Sequence, residues 1–140
     1  MNSLFWARLH GGTTHFPIAL IFGAALFDTL SFLCPRSRRG RDFRIIGFWL
    51  VTLGALGSFG AVFSGLALSK WQIGGTGQLF RHHLFVWPAF ALIVGLATWR
   101  VLVGYNPSRR AFQFYIGTIL ISCVVIGAAG CFGGELLLGQ

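Results

Sequence analysis

Charged residues are scarce in this sequence: they make up 10% of its 140 residues, and only three of them are acidic. A water-soluble domain carries about a quarter of its residues as charged side chains, so this scarcity excludes an ordinary soluble domain. The hydrophobic share of 55% indicates instead a chain embedded in a lipid bilayer. At this length, residues 1–140 are predicted to form a single membrane domain.

Cysteine is also sparse, and no two cysteines stand at CxxC spacing. Cys34, Cys123 and Cys131 are scattered, which argues against a disulfide framework or a cysteine zinc site, and the lack of CxxCH excludes a covalently attached c-type haem. The sequence has no HExxH, phosphate-loop or nucleotide-binding motif. These absences favour a non-catalytic or electron-transfer subunit over a stand-alone enzyme. The N-terminus lacks a signal-peptide pattern, so the first apolar run is expected to be retained.

Long apolar runs are what the sequence does contain. A membrane-spanning helix needs about 20 mostly apolar residues, and unpaired backbone groups are too costly in lipid for such runs to be anything but helices. The predicted fold is therefore an all-α integral membrane four-helix bundle, with spans at residues 14–33, 45–68, 83–103 and 112–131.

Basic residues lie between the spans and are unevenly distributed. Eight of the eleven Lys and Arg belong to loops one and three when Arg100 is included, whereas the N-terminal tail and loop two hold only Arg8, Lys70 and Arg81. The positive-inside rule then predicts cytoplasmic loops one and three, with both termini on the outer, periplasmic side. Since the net charge of +8 serves this orientation, the expected partner is the lipid bilayer, and nucleic acid is not expected.

All four histidines fall on the predicted outer side. His15 opens span one, with Pro17 in its first turn, where a proline is well tolerated. His82 and His83 open span three. Spans one and three run in the same direction, so we expect His15 and one of the later pair to lie at similar depth. His10 is a nearby candidate.

Two histidines on two helices at one depth are typical of a bundle that holds a b-type haem, because neutral imidazole is a good ligand for iron. The predicted iron ligands are His15 with His82 or His83, of which the primary metal-ligand pair is His15 and His83. Arg81 suits a haem propionate, since arginine binds carboxylates in bidentate fashion. The alternative for each histidine is a hydrogen-bonding side chain at the membrane interface. Zinc is disfavoured because Cys, Asp and Glu companions are missing.

Two carboxylates raise separate expectations. Asp28 is the one acid inside a predicted span, and intramembrane acids suggest function by default. We expect it to pair with an arginine of loop one rather than to serve in a proton relay. Glu135 follows span four, where it is expected either to orient a histidine or to be solvated. The glycines of span two favour close helix packing, which is compatible with room for a flat cofactor.

The segment "HGGTTHFPIALIFGAALFDTL" resembles the opening of a bacterial membrane-protein family known as domain of unknown function 2231. The family resemblance rests on a His-x4-His-Phe-Pro opening, an acid near the end of the first helix and a Gly-Gly-Glu-Leu close, here His10 to Pro17, Asp28 and Gly133 to Leu136. It covers nearly the whole chain. It implies a multi-pass protein of the bacterial inner membrane that works beside electron-transfer proteins, since relatives occur beside c-type cytochromes.

The leading functional prediction is a small electron-transfer subunit with haem b near the periplasmic face. It would link a periplasmic redox partner, such as a c-type cytochrome, to the quinone pool or another membrane subunit. The alternative is a non-catalytic anchor or scaffold in a larger complex, and a weaker one is a small transporter or channel. Self-association is compatible with each, because four spans leave almost no mass outside the membrane.

Overall fold

A computed structural model describes residues 3–138 and contains four long helices. They are α1 (Ser3–Leu33), α2 (Arg38–Leu68), α3 (Gly77–Val103) and α4 (Arg109–Leu138). Each has between 27 and 31 residues, and each is long and apolar enough to cross a membrane. The predicted all-α bundle of four apolar helices is therefore confirmed, while the side on which the termini lie stays a prediction.

Each helix begins earlier than the apolar run predicted. The expectation that Pro17 starts the first helix is wrong, because α1 begins at Ser3 and Pro17 lies inside it. The hydroxyl groups of Thr13 and Thr14 donate to carbonyl groups of the preceding turn, so this stretch is helical although polar. His82 and His83 likewise lie in the second turn of α3 rather than at its start.

Short connections divide the bundle into two chemically distinct ends. Residues 34–37 and 104–108 join the helices at what we call the arginine end, which carries most of the arginines. Residues 69–76 join α2 to α3 at the opposite, histidine end. In that loop Lys70 and Trp71 adopt positive φ values of 55° and 66°, conformations that non-glycine residues seldom take. The four histidines all belong to the histidine end.

The helices pack in chain order around the bundle. Neighbours in contact are α1 with α2, α2 with α3, α3 with α4, and α4 with α1, so α1 and α3 lie diagonally opposite. The centre is filled by buried aliphatic side chains, one from each helix: Ile21, Val51, Ile93 and Ile119.

The two diagonal helices carry the same sequence pattern. Residues 19–28 read "ALIFGAALFD" and residues 91–100 read "ALIVGLATWR", with five identical residues in ten. His82 follows His10 by the same interval of 72 residues. The buried positions correspond as well: Ile21 with Ile93, Ala24 with Leu96, Ala25 with Ala97, and Asp28 with Arg100.

Helices α2 and α4 correspond in the same way at an interval of 68 residues. Four positions are buried in both: Gly47 with Tyr115, Val51 with Ile119, Gly54 with Ser122, and Ser58 with Ile126. The α1–α2 hairpin and the α3–α4 hairpin therefore resemble each other in sequence pattern and in the positions that they bury. Parallel repeats of this kind are a recurrent way of building membrane proteins.

Candidate functional site

An ion pair lies deep in the bundle towards the arginine end. The Nη2 group of Arg100 is 3.1 Å from Oδ1 of Asp28, and both side chains are fully buried. The pair joins the diagonal helices α1 and α3. A buried ion pair needs further hydrogen bonds to offset the loss of hydration, and the surrounding helices provide them.

Three more residues complete what we call the charge cluster. The hydroxyl group of Tyr115 donates to Oδ2 of Asp28 at 2.8 Å. Arg100 donates to the backbone carbonyl of Arg44 at 2.9 Å, and Nε of Arg44 donates to Ser31 at 3.1 Å. The charge cluster therefore comprises residues of all four helices: Asp28, Ser31, Arg44, Arg100 and Tyr115.

The backbone of α2 makes room for the carboxylate. A Cβ atom at Gly47 would overlap the carboxylate of Asp28, so only glycine allows this approach. Around the guanidinium of Arg100 stand the rings of Phe48, Phe112 and Tyr115, with centroids 5.1 to 5.8 Å from its central carbon. Among the described residues, no acceptor bonds Nε or Nη1 of Arg100. Aromatic faces stabilise a desolvated cation there.

The prediction that Asp28 pairs with a loop-one arginine is wrong. Its ion-pair partner is Arg100 of α3, because the interior of the bundle places the two helices face to face at this depth. Arg44, which the predicted spans placed in loop one, lies in α2 and donates to Ser31 instead. The equal spacing of His10 to Asp28 and of His82 to Arg100 is the sequence signal that would have identified the pair.

At the histidine end, His10 and His82 occupy equivalent positions and make equivalent contacts. Nδ1 of His10 lies 3.1 Å from the carbonyl oxygen of Ala61 in α2. Nδ1 of His82 lies 2.9 Å from the carbonyl oxygen of Ala129 in α4. The hydroxyl group of Ser64 adds a second contact to His10 at 3.2 Å. Each hairpin thus holds one imidazole between its two helices.

The residue four positions after each of these carbonyl groups is a glycine, and it lies against the histidine ring. A Cβ atom at Gly65 would come within 2.8 Å of Cε1 of His10, and one at Gly133 within 3.1 Å of Cε1 of His82. Small residues therefore let both rings lie directly on the backbone of the neighbouring helix.

The other two histidines differ from this pair and from each other. His83 is buried, and its Nδ1 lies 3.2 Å from the carbonyl oxygen of Gly74 in the loop. Its ring is 5.9 Å from that of His82 between centroids. His15 is exposed on α1, with Nδ1 on the carbonyl oxygen of Gly11 in the same helix. The structure packs His10 and His82 between helices, buries His83 beside the α2–α3 loop and leaves His15 exposed on α1.

All four histidines place Nδ1 against a carbonyl oxygen. A carbonyl oxygen can only accept a hydrogen bond, so Nδ1 carries a proton, and the neutral form of such a ring has its lone pair on Nε2. Metal-ligating histidines are commonly oriented in this way by a carbonyl group. Arg81 and Glu135 are both exposed. No group of three His, Cys, Asp or Glu residues suited to a metal ion occurs within residues 3–138.

Comparison with known proteins gives one match. A family model described as a predicted membrane protein, DUF2231, matches residues 7–139. No curated protein and no solved structure matches the chain. The match covers both hairpins, and therefore both the charge cluster and the four histidines.

Proposed function

The chain belongs to the DUF2231 family of predicted membrane proteins, and from that premise we propose that it is a small integral membrane electron-transfer subunit that holds a haem b at its histidine end. The observation that supports this most is the equivalent pair His10 and His82. Both rings donate Nδ1–H to a carbonyl group of the next helix, and within residues 3–138 neither Nε2 makes a hydrogen bond. Haem iron takes its axial ligands from neutral imidazoles of this kind.

The chain's own residues supply the rest of the proposed site. His10 and His82 would hold the haem iron, in place of His15 with His82 or His83, which the predicted span starts favoured. Gly65 and Gly133 leave room for the rings of His10 and His82 against the backbones of α2 and α4. Arg81, one residue before His82 and exposed, is positioned at the end of the bundle to pair with a propionate. A bound haem would supply a one-electron carrier, and the chain would orient it and tune its potential.

The location of the site at one end of the bundle suits transfer of electrons between a bound haem and a protein outside the membrane. Most arginines lie at the opposite end, so the positive-inside rule directs the histidine end to the periplasm of a bacterial inner membrane. A periplasmic redox protein, such as a c-type cytochrome, would then meet the haem directly. The quinone pool or another membrane subunit is the proposed second partner.

Absorption spectroscopy of four single variants tests the proposal. The protein is expressed with haem supplied and purified, and its Soret band and pyridine haemochrome are measured for His10→Ala, His82→Ala, His15→Ala and His83→Ala. We expect the wild type to bind haem, and the first two variants to lose most of it, because each loses one ligand. The His15 and His83 variants are the matched controls.

The outcomes separate three interpretations. A wild type without a Soret band contradicts haem binding and leaves the scaffold role as the alternative. Loss of haem in His15→Ala and His83→Ala alone would transfer the ligand role to the originally predicted pair. Retention of the band in all four variants would show that the haem is held elsewhere.

A further inference from the structure

A small cavity at the arginine end opens between the two short loops, far from the histidines. Its volume is about 190 Å³, below the roughly 300–1,000 Å³ of pockets that hold cofactor-sized ligands. No acidic residue is among the side chains that line it. These are a pair of phenylalanines, a pair of prolines and a pair of arginines: Phe32, Phe112, Pro35, Pro107, Arg44 and Arg109.

The two arginines in this cavity are oriented by aromatic rings. The central guanidinium carbon of Arg44 lies 4.7 Å from the ring centroid of Phe112, and that of Arg109 lies 5.6 Å from Phe32. Within residues 3–138 the Nη groups of both arginines donate to no protein acceptor, whereas Nε of Arg44 donates to Ser31. A guanidinium that rests on an aromatic face keeps its outer N–H groups available for an anion.

The charges around the cavity do not balance. Asp28 already pairs with Arg100, so Arg44 and Arg109 add two positive charges that this carboxylate does not neutralise. Asp42, the other acid at this end, makes no ion pair with any arginine in the described part of the chain. Helices α2 and α4 both begin here, and the positive ends of their dipoles add to the potential. A bound anion would offset this excess.

We propose that this cavity binds a phosphate group between Arg44 and Arg109. Arginine forks match phosphate oxygens in bidentate fashion, and the cavity is of a size for one such group. The end of a transmembrane bundle is the depth at which lipid headgroups lie, and basic pockets between helices there bind anionic headgroups. Two sources share this chemistry, namely the phosphodiester of an anionic phospholipid and free inorganic phosphate.

Lipid retention by adjacent arginine variants tests the site. Wild type, Arg109→Gln and Arg110→Gln are reconstituted in bilayers of phosphatidylglycerol and phosphatidylcholine, re-extracted, and analysed by native mass spectrometry for bound lipid. Arg110 is the next residue in the same first turn of α4 and carries the same charge but does not line the cavity. We expect Arg109→Gln to bind phosphatidylglycerol about tenfold more weakly, the effect of losing one charge-assisted hydrogen bond, and Arg110→Gln to match the wild type.

A second arm identifies the source of the phosphate. Arg44→Lys keeps the charge and removes the fork, so it should weaken retention without the loss of fold that a neutral residue risks. Inorganic phosphate is titrated into delipidated protein while its melting temperature is followed. Protection by phosphate without lipid retention supports a free-ion site, and retention that phosphate displaces supports a headgroup site. Equal retention by both glutamine variants, with no protection by phosphate, overturns the proposal.

Discussion

The α1–α2 hairpin and the α3–α4 hairpin bury equivalent positions but fill them with side chains of different size. Four positions of α2 that face α1 are glycines, Gly47, Gly54, Gly57 and Gly65, and their equivalents in α4 are Tyr115, Ser122, Val125 and Gly133. The first hairpin is therefore held by close approach of its two helices at these glycines, whereas α4 carries larger side chains at three of the four equivalent positions. Small residues are the usual means of close helix contact in membranes.

The difference in volume serves the charge cluster. Beside Gly47 the carboxylate of Asp28 fits directly against the backbone of α2. At the equivalent position Tyr115 extends its hydroxyl group to that same carboxylate. One repeat thus provides space and the other provides the hydrogen bond. Two similar hairpins thus become complementary through a few differences at the positions that face the charge cluster.

Removing Arg100 from its ion pair with Asp28 should have the largest effect on stability. In Arg100→Ala the carboxylate of Asp28 stays buried without its partner, and breaking a buried ion pair typically costs about 3–5 kcal/mol. The free energy of unfolding, measured by titration with SDS in mixed micelles, should fall by this amount. The double variant Asp28→Leu with Arg100→Met should recover much of it, because no unpaired charge remains.

Exchanging the charges sharpens the same comparison. The variant Asp28→Arg with Arg100→Asp should be more stable than either single substitution but less stable than the wild type, because Tyr115 and the carbonyl group of Arg44 stay where the original pair needs them. A swapped variant no more stable than Arg100→Ala would show that the two positions are not equivalent in the fold.

Filling the space beside the carboxylate should have an intermediate effect. In Gly47→Ala the new methyl group overlaps Asp28, and overpacking of this kind costs about 1–3 kcal/mol. The same unfolding titration measures it. Gly60→Ala is the control, since nothing lies within 4 Å of its Cβ position and alanine favours the helix. If both variants were equally stable, close approach of α1 and α2 at Gly47 would not matter.

The smallest effect is expected where the hairpins are most alike. Gly65→Ala should displace the ring of His10 more than Gly133→Ala displaces that of His82, because the clearances are 2.8 Å and 3.1 Å. We expect each to cost about 1 kcal/mol, the low end of overpacking, since a ring can rotate. NMR of the imidazole nitrogens should report loss of the Nδ1 hydrogen bond in the first variant only. Identical spectra would contradict the difference.

Hydropathy predicted the four helices well because it depends on composition over about 20 residues. All four spans lie inside observed helices. The boundaries were less predictable. The hydroxyl groups of Thr13 and Thr14 donate to carbonyl groups within α1, so the helix extends to the N-terminal side of the predicted span although this stretch is polar. Pro17 was misplaced for the same reason.

The candidate site was only partly predictable because it depends on which helix faces are turned inward. Spacing placed the histidines at one end but did not distinguish exposed His15 from His10, which packs on α2. The pairing of Asp28 with Arg100 joins residues that are 72 positions apart, and no local pattern specifies such a contact. Only the internal correspondence of the two hairpins carries that information in the sequence.

The unlike charges on the axis also determine which hairpins can assemble. If the α1–α2 hairpin packed against a second copy of itself, two carboxylates would meet in the interior, and two α3–α4 hairpins would bring two guanidinium groups together. Like charges buried in contact are strongly unfavourable. The loop at residues 69–76 meanwhile keeps the correct partner at high effective concentration. The ion pair between Asp28 and Arg100 therefore favours packing of unlike hairpins over packing of like ones.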